Sequence, residues 1–324
     1  MMIGALSRQT AERIVEAAIA APSTHNAQPW RFVARLADQV VDVYADPART
    51  LRRGDPRGRA VHIACGAALF NLRLAVAHAG AEPVTRLLPN PRNPLLLASV
   101  RLAGTYRARP YERDLHAAIS RSRLARHGPP SQPQLRSLLA GLLEAAALEG
   151  ASLRVLEQTD ALRIIQSAAA ADRALHPDAA YLAELREFLP RSPSRAAASG
   201  ITVLAPQLAV IATRSDDRTS WLRTGQAMQR ILLLATHRGL PAAPLTPVLE
   251  LPDTPLRPDP RLGAEHPEMI IRLGGSDSAP PSYRRPVAQV MRVISPVIPR
   301  QDEGPRAVPP PALPAGDREL MPSK

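Results

Sequence analysis

Gly66-Ala67-Ala68-Leu69-Phe70-Asn71-Leu72-Arg73-Leu74-Ala75-Val76-Ala77-His78-Ala79-Gly80 is an apolar run with a glycine at each end. It recurs 159 residues downstream as Gly225-Gln226-Ala227-Met228-Gln229-Arg230-Ile231-Leu232-Leu233-Leu234-Ala235-Thr236-His237-Arg238-Gly239. At that offset Gly66 falls on Gly225, Ala68 on Ala227, Leu69 on Met228, Leu72 on Ile231, Leu74 on Leu233, His78 on His237 and Gly80 on Gly239. Both copies read as a long apolar helix closed by glycine, the residue that most easily takes the left-handed position after a helix. A later strand repeats as well, Val100-Arg101-Leu102-Ala103-Gly104 against Ile271-Arg272-Leu273-Gly274-Gly275. Chance alignment of two Ala/Leu-rich helices is the competing explanation. Glycines matched at both ends and a matched strand favour two fused, similar halves meeting near residue 105, a chain able to act as a single-chain dimer.

The rest of the chain is read outward from these helices. Thr10 to Ala21 has a capping residue followed by Ile14, Ala17, Ala18 and Ala21 at helical spacing, and stops at Pro22. Trp30 to Leu36 and Gln39 to Tyr44 read as a strand pair, Arg59 to Ala79 as the first long helix, and Leu95 to Leu102 as a strand. A second series follows, with helices at Gln132 to Leu148 and Asp160 to Ala174, a strand at Gln207 to Thr213, a helix at Trp221 to His237 and a strand at Glu268 to Leu273. Strands and helices alternate, so the expected class is α+β with α/β-type alternation. The predicted organisation is a first half over 1–105, a second over 106–298 and a disordered tail over 299–324, where Pro309-Pro310-Pro311-Ala312-Leu313-Pro314 cannot build a core.

Composition narrows the function. A chain of 324 residues with 45% apolar residues can fill a sizeable core. No run of about 18 apolar residues occurs, and Met1-Met2-Ile3-Gly4 lacks the features of a signal peptide, so a soluble cytoplasmic protein is expected. Cys65 is the only cysteine, which excludes an intramolecular disulfide and a four-cysteine metal site; no metal is expected. The net charge of +12 suggests a polyanionic partner, yet every basic residue except Lys324 is a scattered arginine and aromatics make up only 3%. Nucleic-acid binding is therefore disfavoured, and would announce itself by steep salt dependence.

The segment Ala21-Pro22-Ser23-Thr24-His25-Asn26-Ala27-Gln28-Pro29-Trp30 packs hydroxyls, an imidazole and two amides between a helix end and a strand. Here the sequence resembles the nitroreductase superfamily, with its A-P-S-x-x-N-x-Q-P-W segment. Asp55-Pro56-Arg57-Gly58-Arg59, the Cys65 to Arg73 helix and the doubled length look like the Acg-type FMN-binding oxidoreductases of actinobacteria, over roughly residues 10 to 295. The resemblance implies a nitroreductase-like sheet flanked by helices and one composite FMN site. A Ser/Asn/Gln-rich turn suits such a ligand, because an isoalloxazine needs donors at its carbonyls and N5 and an acceptor at N3. Pro22, Ser23, Thr24, Asn26 and Gln28 are the candidates; the competing reading is a helix-terminating turn in which Asn26 and Gln28 cap backbone groups. His25 reads as structural and Trp30 as core.

In ordinary nitroreductases the partner subunit supplies an R-x-S-x-R motif and a late basic residue for the phosphate. This chain departs from that pattern: the residues two away from Ser122 are Ser120 and Leu124. Its candidates are Arg121, Arg123 and Arg126, and the late pair Arg284 and Arg285, since the arginine fork binds phosphate bidentately. The resemblance places a backbone donor for flavin N5 after the second repeated helix; Pro247 has no N–H, so Thr246 is the candidate, unless the segment is simply an edge strand. Residues 181–205 stand where a second motif would fall, and the resemblance implies a lid over the flavin there, against the alternative of a mobile connector. The expected activity is electron transfer from NAD(P)H to a small-molecule acceptor such as a nitroaromatic or quinone, with the chemistry done by FMN and no catalytic side chain required. A flavin-sequestering protein with little turnover is the alternative.

Overall fold

The computed structural model describes residues 6–122, 132–164, 207–245, 265–274 and 283–295, together with positions 166 and 183. Helix α1 (Arg8–Ala18) leads to antiparallel strands β1 (Trp30–Arg35) and β2 (Val40–Ala45). The long helix α2 (Arg59–His78) follows, then the antiparallel pair β3 (Ala81–Leu87) and β4 (Leu96–Thr105). Helices α3 (Pro110–Ser122) and α4 (Gln132–Ala147) precede β5 (Ser152–Val155), a helical stretch over 158–164 and β6 (Gln207–Thr213). The second long helix, α5 (Arg218–His237), is followed by β7 (Ala242–Leu245) and β8 (His266–Leu273). After one helical turn at Val287–Val290 comes β9 (Met291–Ile294).

The alternation is that of an α+β protein with sheets flanked by helices. One sheet has the order β3-β4-β2-β1-β9 and the other β5-β6-β8-β7. Read in reverse, the second runs β7-β8-β6-β5, the order of β3-β4-β2-β1. Pairing within both is antiparallel except where β9 joins β1 in parallel, Phe32 lying beside Met291.

Helix α2 is long and apolar enough to cross a membrane, but 89% of its apolar window is buried inside the fold. What buries it is mainly α5. A Cβ on Gly66 would lie 2.3 Å from the Leu222 carbonyl oxygen, and one on Gly225 would lie 2.0 Å from that of Ile63. Only paired glycines let two backbones approach so closely. The contact is reciprocal at the 159-residue offset, since Ile63 is to Leu222 as Gly66 is to Gly225. Residues at that same offset also meet directly: Arg57 Nη1 donates to Asp216 Oδ2 at 2.8 Å, and the His62 and Trp221 rings pack edge to face with centroids 5.5 Å apart. Such reciprocity is what a two-fold axis between two helices generates.

The expected helix at Thr10 to Ala21 needs correction. It spans Arg8–Ala18, and Ser7 is its cap, the Ser7 Oγ accepting from Thr10 N at 3.1 Å. The predicted helix at Asp160 to Ala174 is described as far as residue 164 and at position 166, both helical. The Pro-rich tail lies outside the described residues.

Buried polar groups tie the layers together. Asn71 Nδ2 donates to the Ala17 carbonyl at 3.1 Å, and its Oδ1 accepts from Gln229 Nε2 at 2.9 Å, joining α1, α2 and α5. At the other end Arg59 Nη1 lies 3.2 Å from Glu268 Oε2, with both side chains almost wholly buried. Burial pushes the Glu268 carboxyl up to about 7; Arg59 opposes the rise and Asp216 adds to it. A carboxyl whose folded value lies above its unfolded one stabilises the fold in its protonated form. That contribution is complete below about pH 4.5 and falls away as pH rises through about 7. Glu268→Gln preserves the neutral shape, so its urea midpoint is expected to vary less than the parent's between about pH 5 and 7.5. Identical slopes in the two proteins would reject this assignment.

Candidate functional site

The motif turn is built by its own backbone. After α1 the chain passes Pro22 into a short 3-10 turn, Thr24–Asn26, and three non-glycine residues, His25, Asn26 and Gln28, take positive φ values of 50°, 56° and 51°. Left-handed backbone costs an ordinary residue roughly 1–2 kcal/mol, although asparagine tolerates it better. Local bonds hold it: Asn26 N donates to the Ser23 carbonyl at 3.0 Å, Ala27 N to that of Thr24 at 2.9 Å and Gln28 N to Ser23 Oγ at 2.9 Å. Arg49 Nε donates to the Ala27 carbonyl. Trp30, wholly buried, starts β1 and belongs to the core, as expected.

The late segment closes on this turn. The Tyr283 carbonyl accepts from Asn26 Nδ2 at 2.9 Å and from Gln28 Nε2 at 3.3 Å, while Arg285 N donates to Gln28 Oε1 at 2.8 Å. The Gln28 amide thus pairs with the C=O of one residue and the N–H of the next but one, as a neighbouring strand would. Arg284 Nη1 donates to Asn26 Oδ1 at 3.0 Å and its Nη2 to the Ala20 carbonyl at 3.3 Å. Arg285 Nη1 reaches the Gln28 carbonyl and Asp46 Oδ2, both at 3.4 Å. The parallel pairing of β9 with β1 explains why residues more than 250 positions apart meet here.

Pro22, Ser23, Thr24, Asn26, Gln28, Arg284 and Arg285 are therefore brought into one place. Arg121 is exposed in the last turn of α3, a helix that packs on α2 and α5. Arg123, Arg126, Thr246 and the segment 181–205 apart from Ala183 lie outside the described residues, and β7, just before Thr246, is an edge strand. The amides of Asn26 and Gln28 are engaged with protein groups, which is the capping role left open by the sequence. Ser23 keeps its hydroxyl proton to donate, and Thr24, half buried, adds a second hydroxyl.

Asp46 is a site residue with no sequence signal. It is 1% exposed, lies just after β2 and meets Arg31 Nη2 at 2.8 Å as well as Arg285. Arg31 and Arg285 share this one carboxylate while Arg284 stands on the turn itself, so positive charge is in excess beside the turn, suited to an oxyanion. Cys65, directly beneath, donates to the Pro29 carbonyl at 3.4 Å, and complete burial pushes its thiol far above the usual range, so it is inert. Among the described residues no group of three or more His, Cys, Asp or Glu is arranged to hold a metal.

No protein-family model matches the chain. It is 30% identical over 321 residues to a Mycobacterium tuberculosis protein provisionally named NAD(P)H nitroreductase Rv3131, covering 87% of this chain and 91% of the relative. A second M. tuberculosis protein, provisionally named NAD(P)H nitroreductase acg, is 27% identical over 314 residues, 86% of this chain and 94% of its own. The uncharacterized protein Rv3127 of the same organism is 27% identical over 311 residues. With the motif turn in place and similarity running through nearly the whole of both chains, this chain belongs to the nitroreductase-like family.

Proposed function

We propose that this protein is an FMN-dependent oxidoreductase that passes electrons from NAD(P)H to a small acceptor such as a nitroaromatic or quinone. The observation that carries the reading is the docking of Tyr283–Arg285 on the strained turn at Ser23–Gln28, which joins hydroxyl donors to two guanidinium groups in one place. Backbone strain maintained by so many bonds is a mark of a functional site. The donor set fits the ligand: neutral hydrogen-bonding groups for a ring with several carbonyls, arginine for a phosphate. FMN supplies the redox chemistry when bound. The chain's own task is to orient and retain it. Ser23 and Thr24 donate hydrogen bonds, Asn26 and Gln28 fix the frame, and Arg284 with Arg285 provides the positive field.

The duplicated reading belongs to the same proposal. Equal strand order in the two sheets and reciprocal contacts across Gly66 and Gly225 support two similar halves, 1–105 and 106–298, working as a dimer within one chain. Because the second half lacks the motif, one FMN per chain is expected. A cytoplasmic location fits the use of NAD(P)H.

The experiment is a flavin titration. Purified protein should be yellow, release one FMN per chain on denaturation and oxidise NAD(P)H in the presence of a quinone or nitroaromatic. Replacing both Arg284 and Arg285 with Ala should cost about 3 kcal/mol of FMN affinity and much less of riboflavin affinity, since riboflavin has no phosphate. Two flavins per chain would reject the composite site, and no flavin binding at all would reject the activity.

A further inference from the structure

We propose that Asp46 is the positioning residue of this site, a buried carboxylate that pins Arg285 and so sets the late segment in place over the motif turn. Asp46 links the end of the motif to β1 and to the late segment. Its N–H donates to the Pro29 carbonyl at 3.0 Å, at the end of the motif. Its Oδ1 accepts from Ala48 N at 3.2 Å and from Arg31 on β1, while Oδ2 lies 3.4 Å from Arg285 Nη1.

A carboxylate removed from water must have its charge met nearby. Arg31 has a side chain 55% exposed, so its charge is largely screened; the Arg285 side chain is only 14% exposed and is the buried counter-charge. Protein oxygens hold Arg285 elsewhere too, the Gln28 carbonyl at Nη1 and the Gln289 carbonyl at Nη2, while its own N–H is held by Gln28 Oε1. Arg285 is thus the pin. Fixing its backbone fixes that of the preceding residue, and so holds the Arg284 guanidinium over Asn26 and the end of α1. On the flavin reading, on which this proposal rests for its ligand, Arg284 takes the phosphate and Asp46 acts on it only through Arg285.

The test is a double-mutant cycle with Asp46→Asn, Arg285→Met and the double variant, read by FMN and riboflavin titration. Asp46→Asn retains an acceptor for Ala48 N and removes the charge. It should weaken FMN binding about tenfold or more and riboflavin binding by less than about threefold. Added to Arg285→Met, it should change FMN affinity by no more than about twofold. Equal losses for FMN and riboflavin, or losses that add in the double variant, would overturn the proposal. A readout without flavin separates it from the reading beneath it. Amide exchange at Arg285 and across Met291–Ile294 should quicken in Asp46→Asn, again with no further effect in the Arg285→Met background. If the parent protein binds neither flavin, the flavin reading falls, and the exchange cycle still decides whether Asp46 pins Arg285.

Discussion

Gly225→Ala is expected to be among the most damaging single substitutions in this chain, although it adds one methyl group to a helix. The new Cβ would lie 2.0 Å from the Ile63 carbonyl oxygen, 2.8 Å from its carbon and 2.9 Å from Ala67 N. All three are backbone atoms of α2, so no side-chain rotation relieves the clash and the two helices must separate. Separation loosens the Gly66 contact with Leu222 on the same axis and the packing of Leu69, Leu72, Met228 and Ile231 about it. Overpacking in a tight core costs about 1–3 kcal/mol, and rigid backbone on the receiving side puts this case at the upper end or beyond. Helix propensity works the other way by about 1 kcal/mol, which makes the sign informative. Gly141→Ala in α4 is the control: its Cβ would meet only Leu234 Cδ2 at 3.6 Å, an ordinary contact, so propensity should win and stability should rise slightly. Urea unfolding of the two variants measures both. A Gly225→Ala protein as stable as its parent would show that the helices do not cross at these glycines.

That crossing was legible as a sequence repeat, because close approach of two helices requires glycine on both sides and leaves a mark at both positions. Strand β6 was legible to the residue, being almost wholly buried apolar sequence. Strand β3 was not. It lies at the edge of its sheet, carries Glu82 and Pro83 and is held by pairing to β4 rather than by its own pattern. Strands β5 and β9 have four residues each, too few for alternation to register, and their partners are far along the chain. Among its described side chains helix α3 buries only Leu115, Ala118 and Ile119, against Phe70, Leu74 and Leu233, and leaves a weak periodicity. At the candidate site the two component segments could be named separately, the turn from its polar residues and Arg284 with Arg285 from their charge. Their engagement through Asn26, Gln28 and Asp46 could not, since it depends on β9 lying parallel to β1. Nor did Ser7 stand out over Thr10, because two hydroxyls three apart both satisfy a cap rule.

Glu149→Gln is expected to lower stability by about 3 kcal/mol, because a single carboxylate serves two arginines from different helices. Glu149 follows α4 with a side chain 4% exposed; its Oε2 accepts from Arg73 Nη1 of α2 at 2.6 Å, and its Oε1 from Arg230 Nε and Nη2 of α5 at 2.9 and 2.6 Å. The two guanidiniums flank the Phe70 ring at 5.6 and 4.9 Å, and Arg73 also donates to Gln226 Oε1 at 2.6 Å. Removing the negative charge leaves two cations facing one another around an aromatic ring, in a chain already at +12. The Arg73 side chain is 27% exposed and can turn toward water; Arg230, at 11%, has less freedom and carries most of the penalty. A buried ion pair is costly to break from one side yet adds little when both partners are replaced by apolar residues of similar volume. Glu149→Leu combined with Arg230→Met should therefore recover most of what Glu149→Gln loses. For a chain of this size the single variant should lower Tm by roughly 4–5 °C, with the double variant closer to the parent. If the double variant is less stable than Glu149→Gln by the full cost of Arg230→Met alone, the two side chains act independently and the carboxylate does not couple the end of α4 to α5.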